Sequence, residues 1–215
     1  MQSLRINEIF FSIQGESTRA GLPTSFVRLS GCPLRCTYCD TEYAFKGGER
    51  SSINDVIDTL KKKPTKYVTV TGGEPLAQQA CIPFLKELSE QGFMVSLETS
   101  GAFDISEVDP RVMVVMDLKT PDSNECSKNL FSNIQYLKLS DQIKFVICSR
   151  ADYVWAKKII LDENLEIKVA LLMSPSWEQQ SLSDLANWML EDGLNVRFQT
   201  QLHKVIWPNS FGPGV

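Results

Sequence analysis

The sequence predicts an α/β fold, a mostly parallel sheet covered by helices. Apolar, β-branched stretches alternate with helix-like stretches along the chain. Some strands are apolar on both faces, Val112–Met116 most clearly, as suits a sheet buried between helices. Each strand also runs into a polar or glycine-rich turn, and α/β sheets gather their ligands at those C-terminal strand ends.

The elements follow in order. An amphipathic strand leads to Ile13, and Ser25–Leu29 is a strand interrupted by Arg28. Ser52–Lys62 reads as a helix: Ser52 and Asp55 have capping-box spacing, and Pro64 closes it. Lys61, Lys62 and Lys63 then meet the negative end of its dipole. Tyr67–Thr71 is a β-branched strand. Leu76–Gln91 reads as a helix ended by Gly92, with Pro83 either kinking it or marking a late start. Strands follow at Phe93–Glu98, Val112–Met116 and Lys144–Cys148. Ala151–Leu161 is a helix, Ile167–Met173 a strand, Ser183–Leu190 a helix and Val196–Gln199 a last strand. Six or seven βα steps make either an open wound sheet or a curled, incomplete barrel. In both, Cys32–Cys39, Thr71–Pro75, Glu98–Gly101, Asp117–Lys119, Ser174–Ser176 and Gln201–Lys204 gather at one rim.

Composition narrows the function. With 215 residues and 43% apolar content, the chain makes one ordinary domain or at most two small ones, and residues 1–215 are expected to form a single one. A formal charge of −4 argues against a broad basic face for nucleic acid, while leaving room for a small basic pocket that takes an acidic small molecule. The purely apolar runs, Val112–Met116 and Val169–Met173, fall far short of the roughly twenty residues a membrane helix needs. No signal peptide is visible at the start, so a cytoplasmic, reducing setting is expected. A single histidine, His203, leaves no His-rich metal site.

The six cysteines are not evenly spread. Cys32, Cys36 and Cys39 form C-x3-C-x2-C, whereas Cys81, Cys126 and Cys148 have no partner spacing and read as packing or loop thiols. Three thiolates on one loop can hold three irons of a four-iron cluster and leave the fourth open to another molecule; a ferredoxin cluster uses four cysteines. The competing readings are inert thiols or a zinc site. Structural zinc takes four ligands, and here Asp40 or distant His203 would have to complete them.

The chain resembles the radical S-adenosylmethionine (SAM) enzymes, on two motifs. One is Cys32–Cys39 with the aromatic Tyr38 before its last cysteine; the other is Thr71-Gly72-Gly73-Glu74-Pro75 after the next strand. A longer resemblance runs through Asn7–Glu16, Phe26–Cys32, Cys39–Thr41 and Gln201–Trp207. It is to the 7-carboxy-7-deazaguanine synthase family. That resemblance implies an incomplete (βα) barrel, mostly parallel, and a lyase of queuosine and other 7-deazapurine biosynthesis. The implied reaction is a radical ring contraction of 6-carboxy-5,6,7,8-tetrahydropterin with loss of ammonia. A [4Fe-4S] cluster on Cys32, Cys36 and Cys39 would bind SAM at its open iron, and SAM would be regenerated. It further implies Mg2+, a reductant such as flavodoxin or ferredoxin, and a homodimer.

The resemblance also distributes the residues. Ile13, Gln14, Gly15, Glu16, Arg28, Thr71, Glu98, His203 and Val215 would face the pterin. Tyr38, Cys39, Asp40, Gly73, Asp117, Lys119, Ser174 and Ser176 would face SAM, and Thr41 would help hold Mg2+. Alternation alone leaves Arg28 pointing either to the site or to solvent. An arginine at the site would grip the substrate carboxylate bidentately. Asp117-Leu118-Lys119 departs from a Ser-x-Lys contact in relatives, which puts the Asp117 contact in question. His203 reads equally as a structural or a site histidine, and it is expected at the end of a site-facing strand. Two rival functions remain: an activase that makes a glycyl radical on a partner protein, and a zinc- or cluster-stabilised binding domain.

Overall fold

The computed structural model describes residues 2–208 and 214. Val215, expected at the pterin, lies outside them. β1 (Ser3–Ile13) pairs antiparallel with β2 (Pro23–Leu29), and β3 (Glu49–Ser52) pairs antiparallel on the other side of β1. From β2 onward every pairing is parallel and follows chain order: β4 (Tyr67–Gly72), β5 (Met94–Thr99), β6 (Met113–Asp117), β7 (Gln142–Ile147), β8 (Ala170–Pro175) and β9 (Arg197–Phe198). Among the described residues β3 and β9 are the two edges of one nine-stranded sheet, so the barrel stays open.

Strand alternation sorts the side chains into two environments. On the outer face, Val27, Leu29, Val68, Val70, Val95 and Leu97 are buried with α1 (Ile53–Lys61) and α2 (Cys81–Glu90). Val114, Met116, Ile143, Phe145, Ile147, Leu171 and Met173 are buried with α3 (Arg150–Asp162) and α4 (Leu182–Asp192). Each such side chain contributes about 1.5–3 kcal/mol. The alternate residues Phe26, Arg28, Thr71, Glu98, Val115, Asp117, Lys144, Val146 and Ser174 come from six strands and line one cavity, so the sheet curls around it.

Local sequence explains most element ends. Ser52 accepts from the Asp55 amide at 3.2 Å, forming the expected cap of α1. The expected helix over 76–91 is divided. Pro75–Ala77 is a 3-10 turn, and α2 starts at Cys81. Pro83 then sits in the first turn of α2, where its missing N–H leaves no intrahelical bond unmade. β8 starts three residues later than expected because Leu165–Ile167 closes a 3-10 turn. β3 has no strand pattern in its sequence, Glu-Arg-Ser-Ser, and exists through its pairing with β1.

One close contact locks the rim. Gly73 and Glu74 donate their amides to the carbonyls of Leu29 (3.1 Å) and Gly31 (2.9 Å). A Cβ on Gly73 would stand 2.4 Å from the Gly31 oxygen and 2.7 Å from the Cys32 Cβ, so only glycine fits. The fully buried Glu74 carboxylate accepts from Thr99 Oγ1 (2.9 Å), the Ser100 amide (2.7 Å) and the Leu76 amide (2.9 Å). It fastens the end of β5 to the end of β4. Glu74→Ala strands buried donors and is expected to cost about 2–3 kcal/mol, read as a lower midpoint in urea unfolding.

Candidate active site

The cavity, about 580 Å³, opens at the C-terminal ends of the strands. All of the described residues expected at the site line it. Cys32, Cys36 and Cys39 occupy one wall, on a loop held by several anchors. Leu34 is buried beneath it. Arg35 donates to the carbonyls of Cys32 (2.8 Å) and Leu34 (2.7 Å), and its guanidinium lies 4.2 Å from the Phe45 ring centroid. Thr37 donates its hydroxyl to the Asp122 carbonyl (2.7 Å) and its amide to the Ser123 carbonyl (3.2 Å). Among the described residues no three cysteine, histidine, aspartate or glutamate side chains converge on a single ion position. The three cysteines share this wall, and three thiolates on one loop can hold three irons of a four-iron cluster. Burial pushes the Cys36 thiol up to about 11 against the opposing pull of Lys119, so a metal must displace a proton to bind it.

Among the described residues, three buried polar atoms of the cavity lining have no partner: Tyr38 Oη, Asp117 Oδ1 and Trp177 Nε1. Orphaned polar atoms are costly unless a ligand satisfies them. Together they offer donors and acceptors to a polar molecule next to the cysteine loop, which fits SAM. Asp117 pairs through its other oxygen, Oδ2, which lies 2.6 Å from Lys119 Nζ. Lys119 is buried yet held well above its ordinary value, since Asp117 and Cys36 outweigh its desolvation. Asp117 and Lys119 both line the cavity.

The opposite part of the cavity gathers charged and amide side chains. Arg28 points inward, which settles its orientation. Its Nε donates to Glu8 at 2.6 Å, and its guanidinium carbon lies 5.6 Å from the Phe10 ring centroid and 5.7 Å from that of Tyr43. Among the described residues its two terminal nitrogens make no hydrogen bond, which leaves them able to take a carboxylate. Tyr43 donates to the same Glu8 oxygen at 2.9 Å. Gln14 Nε2 donates to Thr69 (3.1 Å) and Glu98 (3.3 Å), and Thr71 donates to Glu98 (2.9 Å). Burial and the nearby Glu16 raise Glu98 above the usual carboxylate range, against Lys144, Thr71 and Arg28. Glu16 goes the other way: burial raises it, but its 2.7 Å contact with Lys144 dominates and lowers it. Thr41 lies on the wall with its hydroxyl 3.9 Å from Cys39 Sγ.

The tail closes one side. His203 sits in the short helix α5 (Leu202–Ile206) rather than at a strand end, because β9 stops at Phe198. The Leu202 amide donates to the Gly15 carbonyl at 3.0 Å, and a Cβ on Gly15 would stand 2.0 Å from His203 Nδ1. Burial lowers the His203 pKa despite Glu16 and Asp40, which keeps the ring neutral at neutral pH. Gln201 donates to both Glu16 and Asp40 at 3.0 Å, and Lys204 pairs with Asp40 at 2.8 Å. Sequence reasoning placed Gln201–Lys204 at the rim without giving Gln201 or Lys204 a role, and it missed Glu8, Tyr43, Lys144 and Trp177 as site residues. Lys144 had a usable signal, a lysine alternating with Ile143 and Phe145, the same pattern that marked Arg28.

Because the folded state raises Glu98, it binds that proton more tightly than the unfolded chain does. Stability is therefore lost as pH rises from the unfolded carboxyl pKa of about 4.3 through the raised value. Glu98→Gln is expected to raise the melting temperature at pH 8 and to leave it unchanged at pH 4, as read by thermal unfolding.

Comparison with known proteins agrees with this geometry. A Radical SAM superfamily model matches residues 26–138. The 7-carboxy-7-deazaguanine synthase of Koribacter versatilis is 40% identical over 95% of this chain and 97% of its own. That of Chlorobaculum tepidum is 42% identical over 95% of this chain and 94% of its own. The solved structure of QueE from Escherichia coli shares the fold, with a TM-score of 0.78 at 23% identity over 94% of this chain and 95% of that one. The motifs, the open barrel and the relatives agree: the chain belongs to the 7-carboxy-7-deazaguanine synthase family of the radical SAM enzymes.

Proposed function

We propose that the chain converts 6-carboxy-5,6,7,8-tetrahydropterin to 7-carboxy-7-deazaguanine and ammonia, a step toward queuosine. The observation that carries this reading is one cavity with a three-cysteine loop on one wall and an inward arginine among amide and carboxylate groups on another. When bound, a [4Fe-4S] cluster on Cys32, Cys36 and Cys39 together with SAM supplies the one-electron chemistry that removes a hydrogen atom from the substrate. The overall change expels one ring nitrogen as ammonia without net oxidation, so no stoichiometric oxidant is needed.

The chain's own residues bind and orient. Arg28 takes the substrate carboxylate through its terminal nitrogens, while Glu8 holds its Nε. Glu16, kept ionised, accepts from the amino-pyrimidine edge, and Gln14, Thr71 and Glu98 supply further polar contacts beside it. Neutral His203 closes over Gly15 and helps exclude water. Tyr38, Cys39, Asp40, Gly73, Asp117, Lys119, Ser174 and Ser176 surround SAM. Thr41 offers a hydroxyl to Mg2+, whose preference is for oxygen ligands with water completing the shell. The whole chain acts as one catalytic domain, working as a cytoplasmic homodimer with a flavodoxin- or ferredoxin-type reductant; the sequence resemblance supports these points. A glycyl-radical activase would have to admit a protein loop, and α5 lies across the cavity wall from Gly15 to Asp40.

Anaerobically reconstituted protein given the carboxytetrahydropterin, SAM, Mg2+ and dithionite is expected to form 7-carboxy-7-deazaguanine, identified by mass and absorbance. Absence of product from a four-iron sample overturns the reading. Cys36→Ala is expected to lose the visible cluster absorbance and all turnover while keeping the far-ultraviolet circular dichroism of the parent. Arg28→Ala is expected to raise KM for the pterin about ten- to a hundredfold in steady-state assays, through loss of a charge-assisted grip.

A further inference from the structure

Lys144 stands midway along β7, on the strand's inner face, and its ammonium is largely enclosed. Its Nζ lies 2.7 Å from Glu16 Oε2 and 4.0 Å from Asp117 Oδ2. Glu16 belongs to the pterin end of the cavity, whereas Asp117 belongs to the SAM end and keeps Oδ1 buried without a partner. The two carboxylates come from elements far apart in the chain, the turn after β1 and the end of β6, and one cation bridges them. Removing it would leave Glu16, Asp117 and Glu98 as crowded acids, with Lys119 the remaining close cation on Asp117 and Asp40 and His203 near Glu16. Buried carboxylates without a counter-charge take up protons or turn away, and either change spoils them as hydrogen-bond acceptors.

We propose that Lys144 is a positioning residue for both ligands at once, aiming Glu16 at the pterin and sharing Asp117 with Lys119 so that its free oxygen faces SAM. This rests on the function proposed above and adds a role for a residue that acts through two carboxylates. The dual role predicts a specific pattern of non-additivity.

The test uses the reconstituted full chain and three single variants, Lys144→Met, Glu16→Gln and Asp117→Ser, with the two doubles that contain Lys144→Met. The readouts are KM and kcat for carboxytetrahydropterin, and the Kd of SAM by calorimetry without substrate. Lys144→Met is expected to raise both the pterin KM and the SAM Kd about ten- to a hundredfold, with kcat falling less than KM rises. In the Glu16→Gln background, Lys144→Met should raise KM little further. In the Asp117→Ser background it should raise the SAM Kd little further. Full multiplication of effects in both backgrounds, or an effect on one ligand only, overturns the proposal. If Lys144→Met does not fold, Lys144→Met/Glu16→Gln removes a compensating pair, and its SAM Kd against Glu16→Gln alone decides the cofactor half. Should the wild type make no carboxydeazaguanine, the functional reading fails by itself, and SAM binding still tests the Lys144–Asp117 half.

Discussion

The close approach of Gly73 to Gly31 and Cys32 is the constraint on which the site depends. It lets the end of β4 lie directly beneath the start of the cysteine loop, and the Gly73 and Glu74 amides complete the join. Glu74 carries the connection on to Thr99 and Ser100 at the end of β5. Thr37 then ties the far end of the loop to Asp122 and Ser123. A loop fixed at several points holds three thiols in place before any metal arrives, which lowers the ordering cost of binding.

The curled sheet separates stability from chemistry by face. Its outer side chains are apolar, fully buried and held under four helices. Its inner side chains include Arg28, Glu98, Asp117 and Lys144, charged groups whose desolvation works against folding. They are tolerated because signs alternate: Glu16 against Lys144, and Asp117 between Lys144 and Lys119. The outer face offsets the cost of the inner one, so the polar lining can be shaped by ligands rather than by packing.

The tail adds a third layer of control. α5 leans on the turn after β1 through Gly15, on the cysteine loop through Asp40 and on the segment after β8 through Trp177, whose ring lies 5.4 Å from Lys204 Nζ. Gly214 also donates to Glu8 at 2.7 Å, the carboxylate that steadies Arg28. These contacts are polar and sit at the surface, so they cost less to break than the core beneath.

Much of this was legible in the residues. Alternating apolar strands and helices implied the parallel sheet, and C-x3-C-x2-C with Gly72-Gly73-Glu74-Pro75 marked the site, because local spacing and periodicity are written directly in the chain. Arg28 was visible as a charge inside an apolar strand, though its direction was not. What needed the tertiary structure was every pairing between distant segments. Glu8 on Arg28, Lys144 on Glu16, Gln201 on both Glu16 and Asp40, and the placing of His203 on a helix all depend on strand register and on where the tail returns. β3 belongs in the same group, since its polar residues become a strand only when β1 supplies the partner. Periodicity reports which face a residue shares with its neighbours in sequence, whereas the counter-charge of a buried group is chosen by the fold.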